Sequence, residues 1–346
     1  MFFASDNTGP AHPQVLEHVI AANDGYAMPY GADPVMDEVR TMIREIFEAP
    51  KAAVYLVAIG TAANALALGC YCQPWQTVFC SPVAHIHEDE CNAPEFYSGG
   101  AKLTLVPGSD KMTPEALQSA IAFEEGRGVH GPQRGPVSIT QVTERGSVYS
   151  LEELEALCKV AKGFNLPVHL DGARFANALV RLGCTPAEMT WKAGVDVVSF
   201  GGTKNGCMGV EAVVLFDPQK AWEFELRRKR GAHLFSKHRY LSAQMRGYLA
   251  DGLWLETAKL ANARAARLAD GLTAKGAEFL YQPQANMIFA TFSRRTHQRL
   301  HDAGAKYYVW EGVLEGDDPE EMLAARLVCD WSVTEELVDE FLSHFN

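Results

Sequence analysis

Three side chains at the ends of apolar runs could act together on a carbonyl compound. The run Val195-Asp196-Val197-Val198-Ser199-Phe200 ends in Gly201-Gly202, and Lys204 follows almost at once. A β-branched run of this kind reads as a buried strand. The two glycines permit a sharp turn and a close approach to the backbone. A desolvated amine held there is a nucleophile toward a carbonyl, although the same turn would also suit an exposed hairpin lysine. Asp171 closes a second run, Val168-His169-Leu170, and Gly172-Ala173-Arg174 follows. Its carboxylate is either a cap for the next helix or a charge aimed into a cleft, and Arg174 is placed to fix its geometry. Gly60-Thr61-Ala62 closes a third run, Val54-Tyr55-Leu56-Val57-Ala58-Ile59, and opens a helical pattern. Free backbone N–H groups and a hydroxyl at such a junction form an anion seat, or serve as plain capping.

In an open parallel sheet, ligands bind beyond the carboxyl ends of the strands. An amine, an acid and a phosphate seat at such ends suit pyridoxal 5'-phosphate (PLP). That cofactor needs a lysine for its Schiff base, an acid to keep its ring nitrogen protonated and an anion site for its phosphate.

The elements that would position these groups are legible in the pattern. Pro136-Val137-Ser138-Ile139-Thr140-Gln141 reads as a strand. Ser150 and Glu153 form a capping box for the helix that follows, and Pro167-Val168-His169-Leu170 is the next strand. This βαβ unit implies parallel pairing. A helix over residues 173–182 leads to the lysine strand, and Ala212-Val213-Val214-Leu215-Phe216 pairs back after the glycine turn. The expected fold class is α/β, with helices on both faces of a mostly parallel sheet. A polar arm rich in Gly, Pro, Asn and Asp covers residues 1–34, a large α/β domain residues 35–245 and a small α+β domain residues 246–346.

Composition narrows the function. The chain has 346 residues, 47% of them hydrophobic, and a formal net charge of -12. That is ample for a large core, while an acidic balance argues against nucleic acid and against anionic membrane surfaces as partners. The apolar stretch from Ala52 to Cys72 is interrupted by Gly60, Thr61 and Asn64, so a buried strand and helix are expected rather than a membrane span. The first residues carry no basic region, which argues against a secretory signal. Eight cysteines show no C-x-x-C pair and no zinc spacing. Reduced thiols in a cytoplasmic protein, with no bound metal, are the simplest expectation.

The ordered set Ser5-Asp6-Asn7, Gly60-Thr61-Ala62-Ala63-Asn64, Ala84-His85-Ile86-His87-Glu88-Asp89-Glu90, Asp171-Gly172-Ala173-Arg174 and Phe200-Gly201-Gly202-Thr203-Lys204-Asn205-Gly206 resembles the low-specificity L-threonine aldolases. These are β-eliminating lyases of the PLP-dependent, aspartate aminotransferase-like fold type I. The resemblance implies that Lys204 carries the cofactor, that Asp171 pairs with its ring nitrogen and that Arg174 sits beside it. Gly60 and Thr61 would hold the phosphate, with Lys229 or Arg239 reaching that of a neighbouring subunit. His85 would stack on the ring and act as base, directly or through a water shared with His130. Ser5, Tyr30 and Arg326 would bind the substrate, and Asp89, with His87, would shape the pocket on the aldehyde side. The implied reaction is cleavage of an L-β-hydroxy-α-amino acid to glycine and an aldehyde, in a homo-oligomer that shares its site across a dimer and commonly forms tetramers. A PLP-dependent β-elimination or transamination, and a nucleotide-binding regulatory module, are the competing readings.

Overall fold

The computed structural model describes residues 1–345. Seven strands form the large sheet: β1 (Ala53–Val57), β2 (Gln76–Cys80), β3 (Lys102–Leu105), β4 (Gln133–Thr140), β5 (Val168–Gly172), β6 (Val197–Gly201) and β7 (Glu211–Leu215). Their spatial order is β1-β7-β6-β5-β4-β2-β3. Only β7 runs against its neighbours, pairing antiparallel with β1 and β6, while β2, β3, β4, β5 and β6 pair in parallel. The carboxyl ends of β4, β5 and β6 therefore open on one edge, and Asp171 and Lys204 emerge there side by side. Strands β1, β5, β6 and β7 are buried along their whole length, which is why they read as unbroken apolar runs rather than alternating ones.

Local signals fix the helices around the sheet. Asp33 caps the helix Pro34–Ile46 by accepting from the Met36 N–H at 2.9 Å, with Pro34 at its first position. Ser150 and Glu153 complete the expected capping box on Leu151–Gly163. Beneath the lysine strand, Phe200 meets Phe175, Phe47 and Trp254 edge to face at 5.4, 5.6 and 5.6 Å between ring centres. Such contacts add to plain area burial and give β6 a rigid floor.

A second, antiparallel sheet has the order β10-β11-β9-β8. It comprises β8 (Glu278–Tyr281), β9 (Met287–Ser293), β10 (Tyr308–Glu311) and β11 (Met322–Val328). The helix Arg239–Leu249, where the boundary was expected, packs its apolar face with the large core. The long helix Leu253–Ala274 spans both cores: Ala258 belongs to the large one and Ala265 to the small one.

The polar arm is ordered by what it lies on. Phe3 donates its N–H to the Lys306 carbonyl at 2.8 Å and accepts from the Val328 N–H at 2.8 Å. Those two bonds carry Ser5 and Asp6 across the small sheet to the edge where Lys204 stands.

Candidate active site

Lys204 sits in a single 3-10 turn, Thr203–Asn205, directly after β6. A side chain at Gly201 would collide with the Ala173 carbonyl oxygen, and one at Gly202 would meet the Val210 carbonyl oxygen at 2.7 Å, so glycine is required at both. Asn205 closes the turn by donating to the Tyr248 hydroxyl and the Trp254 carbonyl, each at 2.8 Å. Tyr248 in turn donates to the Gly201 carbonyl at 3.1 Å. The lysine is half-buried on a pinned backbone, which settles the choice against an exposed hairpin.

Asp171 is buried and pairs across the sheet with Ser199 of β6. One of its oxygens accepts from Asn64 Nδ2 at 2.9 Å and the other from the Ala173 N–H at 3.1 Å. Asn64 also donates to Glu90 Oε1 at 2.9 Å, and Glu90 Oε1 is 2.8 Å from His85 Nδ1. A continuous polar chain therefore runs from Asp171 through Asn64 and Glu90 to His85. Burial alone would push the His85 ring down, but the Glu90 hydrogen bond, with the charges of Asp171 and Glu144, holds it above the usual imidazole value. Burial pushes the Glu90 carboxyl up.

Arg174 is also buried. Its Nε and Nη2 donate to the two oxygens of Asp6 at 2.7 and 3.0 Å. Asn286 Nδ2 adds a third donor to Asp6 at 3.1 Å. Although burial works against the Asp6 charge, Arg174 and Lys204 hold this carboxyl below the ordinary range.

The helix Gly60–Tyr71 begins at the end of β1 with no side chain capping it. A Cβ at Gly60 would meet nothing within 4 Å. Gly60 and Thr61 are half-buried, and with no side chain capping the helix its free first-turn N–H groups are left for an anion. PLP fits this set of residues. The seat is uncapped, Asp171 is a buried acid with acceptor capacity left, Lys204 is fixed at the same edge, and Asn64 Oδ1 and Glu90 Oε2 are buried polar atoms without partners.

A cleft of about 310 Å³ opens where the turn after β4 meets the small sheet, with walls that include Asp89, Glu144, Arg145, Tyr308, Trp310 and Arg326. Arg326 donates to the Ala4 carbonyl at 3.2 Å, beside Ser5. The Ser5 hydroxyl accepts from the Asn7 N–H at 3.1 Å. Arg145 stacks its guanidinium over Trp310 at 4.6 Å. Asp89 and His87 are exposed.

Not every expected residue converges here. His130 lies exposed in the 3-10 turn Gly128–His130, ahead of β4. Strand β4 is eight residues long and so spans about 26 Å. His130 therefore stands at the amino end of a strand whose carboxyl end faces the site, and the structure does not bring it to His85. The residues that do arrive from β4 are Glu144 and Arg145, on the turn after Thr140. Tyr30, Lys229 and Arg239 form a separate surface group. Lys229 Nζ lies 5.1 Å above the Tyr30 ring, and Arg239 donates to the Gly25 carbonyl at 2.9 Å. Among the described residues, no hydrogen bond joins them to Lys204, Asp171 or His85.

This sheet, this order of groups and this anion seat define a PLP-dependent enzyme of fold type I. Residues 3–294 match the sequence profile of the family described as beta-eliminating lyase, and the chain belongs to that family. It is 40% identical over 341 residues to a low specificity L-threonine aldolase from a Pseudomonas species, covering 98% of this chain and 95% of the relative. The Pseudomonas aeruginosa protein of the same description gives the same identity and coverage. Among solved structures, a threonine aldolase from Leishmania major superposes with a TM-score of 0.92 at 27% identity, covering 99% of this chain and 97% of that one.

Proposed function

We propose that this chain cleaves L-threonine, L-allo-threonine and related L-β-hydroxy-α-amino acids to glycine and an aldehyde. The observation that carries the reading is the placement of His85, tied to Asp171 through Glu90 and Asn64, at the sheet edge where Lys204 stands. A polarised imidazole beside the cofactor's lysine and acid is what removal of a β-hydroxyl proton demands.

When bound, PLP supplies a sink for the electrons released as the Cα–Cβ bond breaks. Gly60, Thr61, Asp171 and Lys204 would hold it. His85 takes the β-hydroxyl proton, directly or through a water. Glu90 accepts from Nδ1–H, which leaves Nε2 as the basic nitrogen. A general base of this kind contributes typically 10²–10⁴-fold. Arg326 and Ser5 receive the substrate carboxylate, and Asp89 lines the wall nearest the departing aldehyde.

Two copies of the chain share each site in this reading. Tyr26, Met28, Ile59 and Phe235 are exposed apolar side chains, and Tyr30, Lys229 and Arg239 sit among them, available to a neighbour. A dimer of dimers and a cytoplasmic setting complete the proposal, the latter supported by the unpaired, largely buried cysteines.

The test is incubation of the purified protein with threonine, allo-threonine and phenylserine, measuring glycine and aldehyde. Equal amounts of the two support the reading, whereas ammonia and a keto acid would replace it with β-elimination. Lys204→Ala should abolish both the yellow colour and the borohydride-stable adduct.

A further inference from the structure

Strand β7 begins with an acid where its other residues, Ala212, Val213, Val214 and Leu215, are apolar. Glu211 is only 6% exposed. It pairs across the sheet with Gly201 of β6 on one side and Val57 of β1 on the other. It therefore lies between the strand that delivers Lys204 and the strand that delivers Gly60. Its carboxylate accepts from the Gly202 N–H at 2.9 Å, and the Thr203 hydroxyl is a second neutral donor to it. The same turn is fixed again where the Val210 N–H donates to Thr203 Oγ1 at 3.1 Å. No cation makes an ion pair with Glu211 among the described residues, so a buried carboxyl stands here on neutral donors alone, at a cost in desolvation.

A glutamine would satisfy the Gly202 N–H equally well, so hydrogen bonding does not account for an acid. The charge has a target. Lys204 stands two residues beyond Gly202, and among the described residues it is the opposite charge that acts on Glu211. The other titratable groups around it are Asp171 from β5, the Cys207 thiol from the loop after the lysine turn and the Tyr248 hydroxyl from the helix Arg239–Leu249. Burial keeps the last two neutral.

We propose that Glu211 is a positioning residue that holds the Lys204 turn and sets, by its charge, the proton affinity of the Lys204 nitrogen. Burial, outweighing the Thr203 and Gly202 hydrogen bonds and the Lys204 charge, pushes this carboxyl up to about 7. Its charge consequently changes in the pH range where the enzyme would work, and that charge is coupled to Lys204 on the next strand's turn.

The inference rests on Lys204 as the residue that carries the cofactor. The experiment is a pH titration of the visible absorbance band of the full-length holoenzyme, which reports protonation of the Lys204–cofactor linkage. Glu211→Gln keeps the acceptor and removes the charge, so its midpoint should fall by about one pH unit, as expected for a unit charge at short range in a partly buried site. Glu211→Asp retracts the charge by one methylene and should fall less, in the same direction. A merely structural role would lower cofactor retention and melting temperature and leave the midpoint in place. An unmoved midpoint in Glu211→Gln overturns the proposal, and if that variant does not fold, an unmoved midpoint in Glu211→Asp does so. Absence of the band in the unaltered protein would instead remove the Lys204 assignment, which keeps the two failures distinct.

Discussion

Asp6 and Arg174 lie 168 positions apart in the chain and form a buried two-point ion pair, at 2.7 and 3.0 Å. The pair fastens the arm over the cofactor edge. Removing one partner leaves an uncompensated buried charge, which typically costs about 3–5 kcal/mol. Asp6→Asn should therefore lower the melting temperature clearly and weaken PLP binding as the arm loosens. The folded Asp6 carboxyl is held low, so its contribution is present above about pH 3.9 and lost as the pH falls through the lower folded value. A thermal scan and a cofactor titration of Asp6→Asn check this, and wild-type values for both would show that the arm is fastened elsewhere.

The His85–Glu90 bond makes a separable kinetic prediction. His85 is raised by Glu90, and only the neutral ring can accept a proton, so the retro-aldol rate should rise with pH through the His85 pKa. Glu90→Gln removes the charge and lowers that pKa, moving the acid limb of the kcat profile down by about one pH unit. His85→Ala should cut kcat by about 10²–10⁴-fold while the protein stays yellow. Steady-state kinetics between acid and neutral pH decide the matter. Unchanged turnover in His85→Ala would place the base elsewhere.

Much of this site was legible in the sequence because strand ends carry it. Lys204, Asp171 and Gly60 follow unbroken apolar runs, and the rule that ligands sit beyond carboxyl ends brings them together. The same rule, applied to β4, points to Thr143, Glu144 and Arg145 after the strand rather than to His130 before it. His130 was implied by the family resemblance alone, and it stands at the strand's other end. The roles of Asp6 and Glu211 were not legible for a different reason. Each is defined by a contact far off in sequence or across the sheet, with Arg174 and with the Gly202 N–H; Asp6 lies in the motif Ser5-Asp6-Asn7, which does not reveal its partner, and no local pattern marks Glu211. Glu90 lay within a quoted motif, yet its role appears only once Asn64 is seen to bridge it to Asp171.

Two buried histidines outside the cleft set an acid limit on stability. His169 lies between Ser138 and Ser199, at 2.9 and 3.1 Å, and His297 is stacked on Phe292 at 4.0 Å. Burial pushes each down to about 4. Their folded values lie below the unfolded value of about 6.5, so the unfolded chain takes up the protons first. Stability is fully present above about pH 6.5 and is lost between there and about pH 4. Within that window His169 alone gives a slope of up to about 1.4 kcal/mol per pH unit, and His297 acts with the same sign. Denaturant midpoints measured from pH 7 to 4.5 should fall, and His297→Gln should flatten the fall. A midpoint independent of pH would mean that water reaches both rings.

Glu144 supplies the last test, because it faces both halves of the chemistry. It stands on the turn after β4, where the Thr143 hydroxyl donates to buried Asp110 at 2.8 Å and the Gly146 N–H donates to the Thr143 carbonyl at 3.0 Å. Its charge raises His85, and it acts on Arg174 and Arg326 as well. Removing that charge should do two things at once. The His85 ring loses one of its supports, so the acid limb of kcat moves down by roughly half a pH unit, less than in Glu90→Gln because a half-exposed charge is screened. Arg326 loses a competitor for the substrate carboxylate, so KM for threonine should fall in Glu144→Gln. The two effects separate because one is read in kcat against pH and the other in KM at fixed pH. A raised KM with an unmoved limb would show that Glu144 serves the cleft wall rather than the two groups it faces.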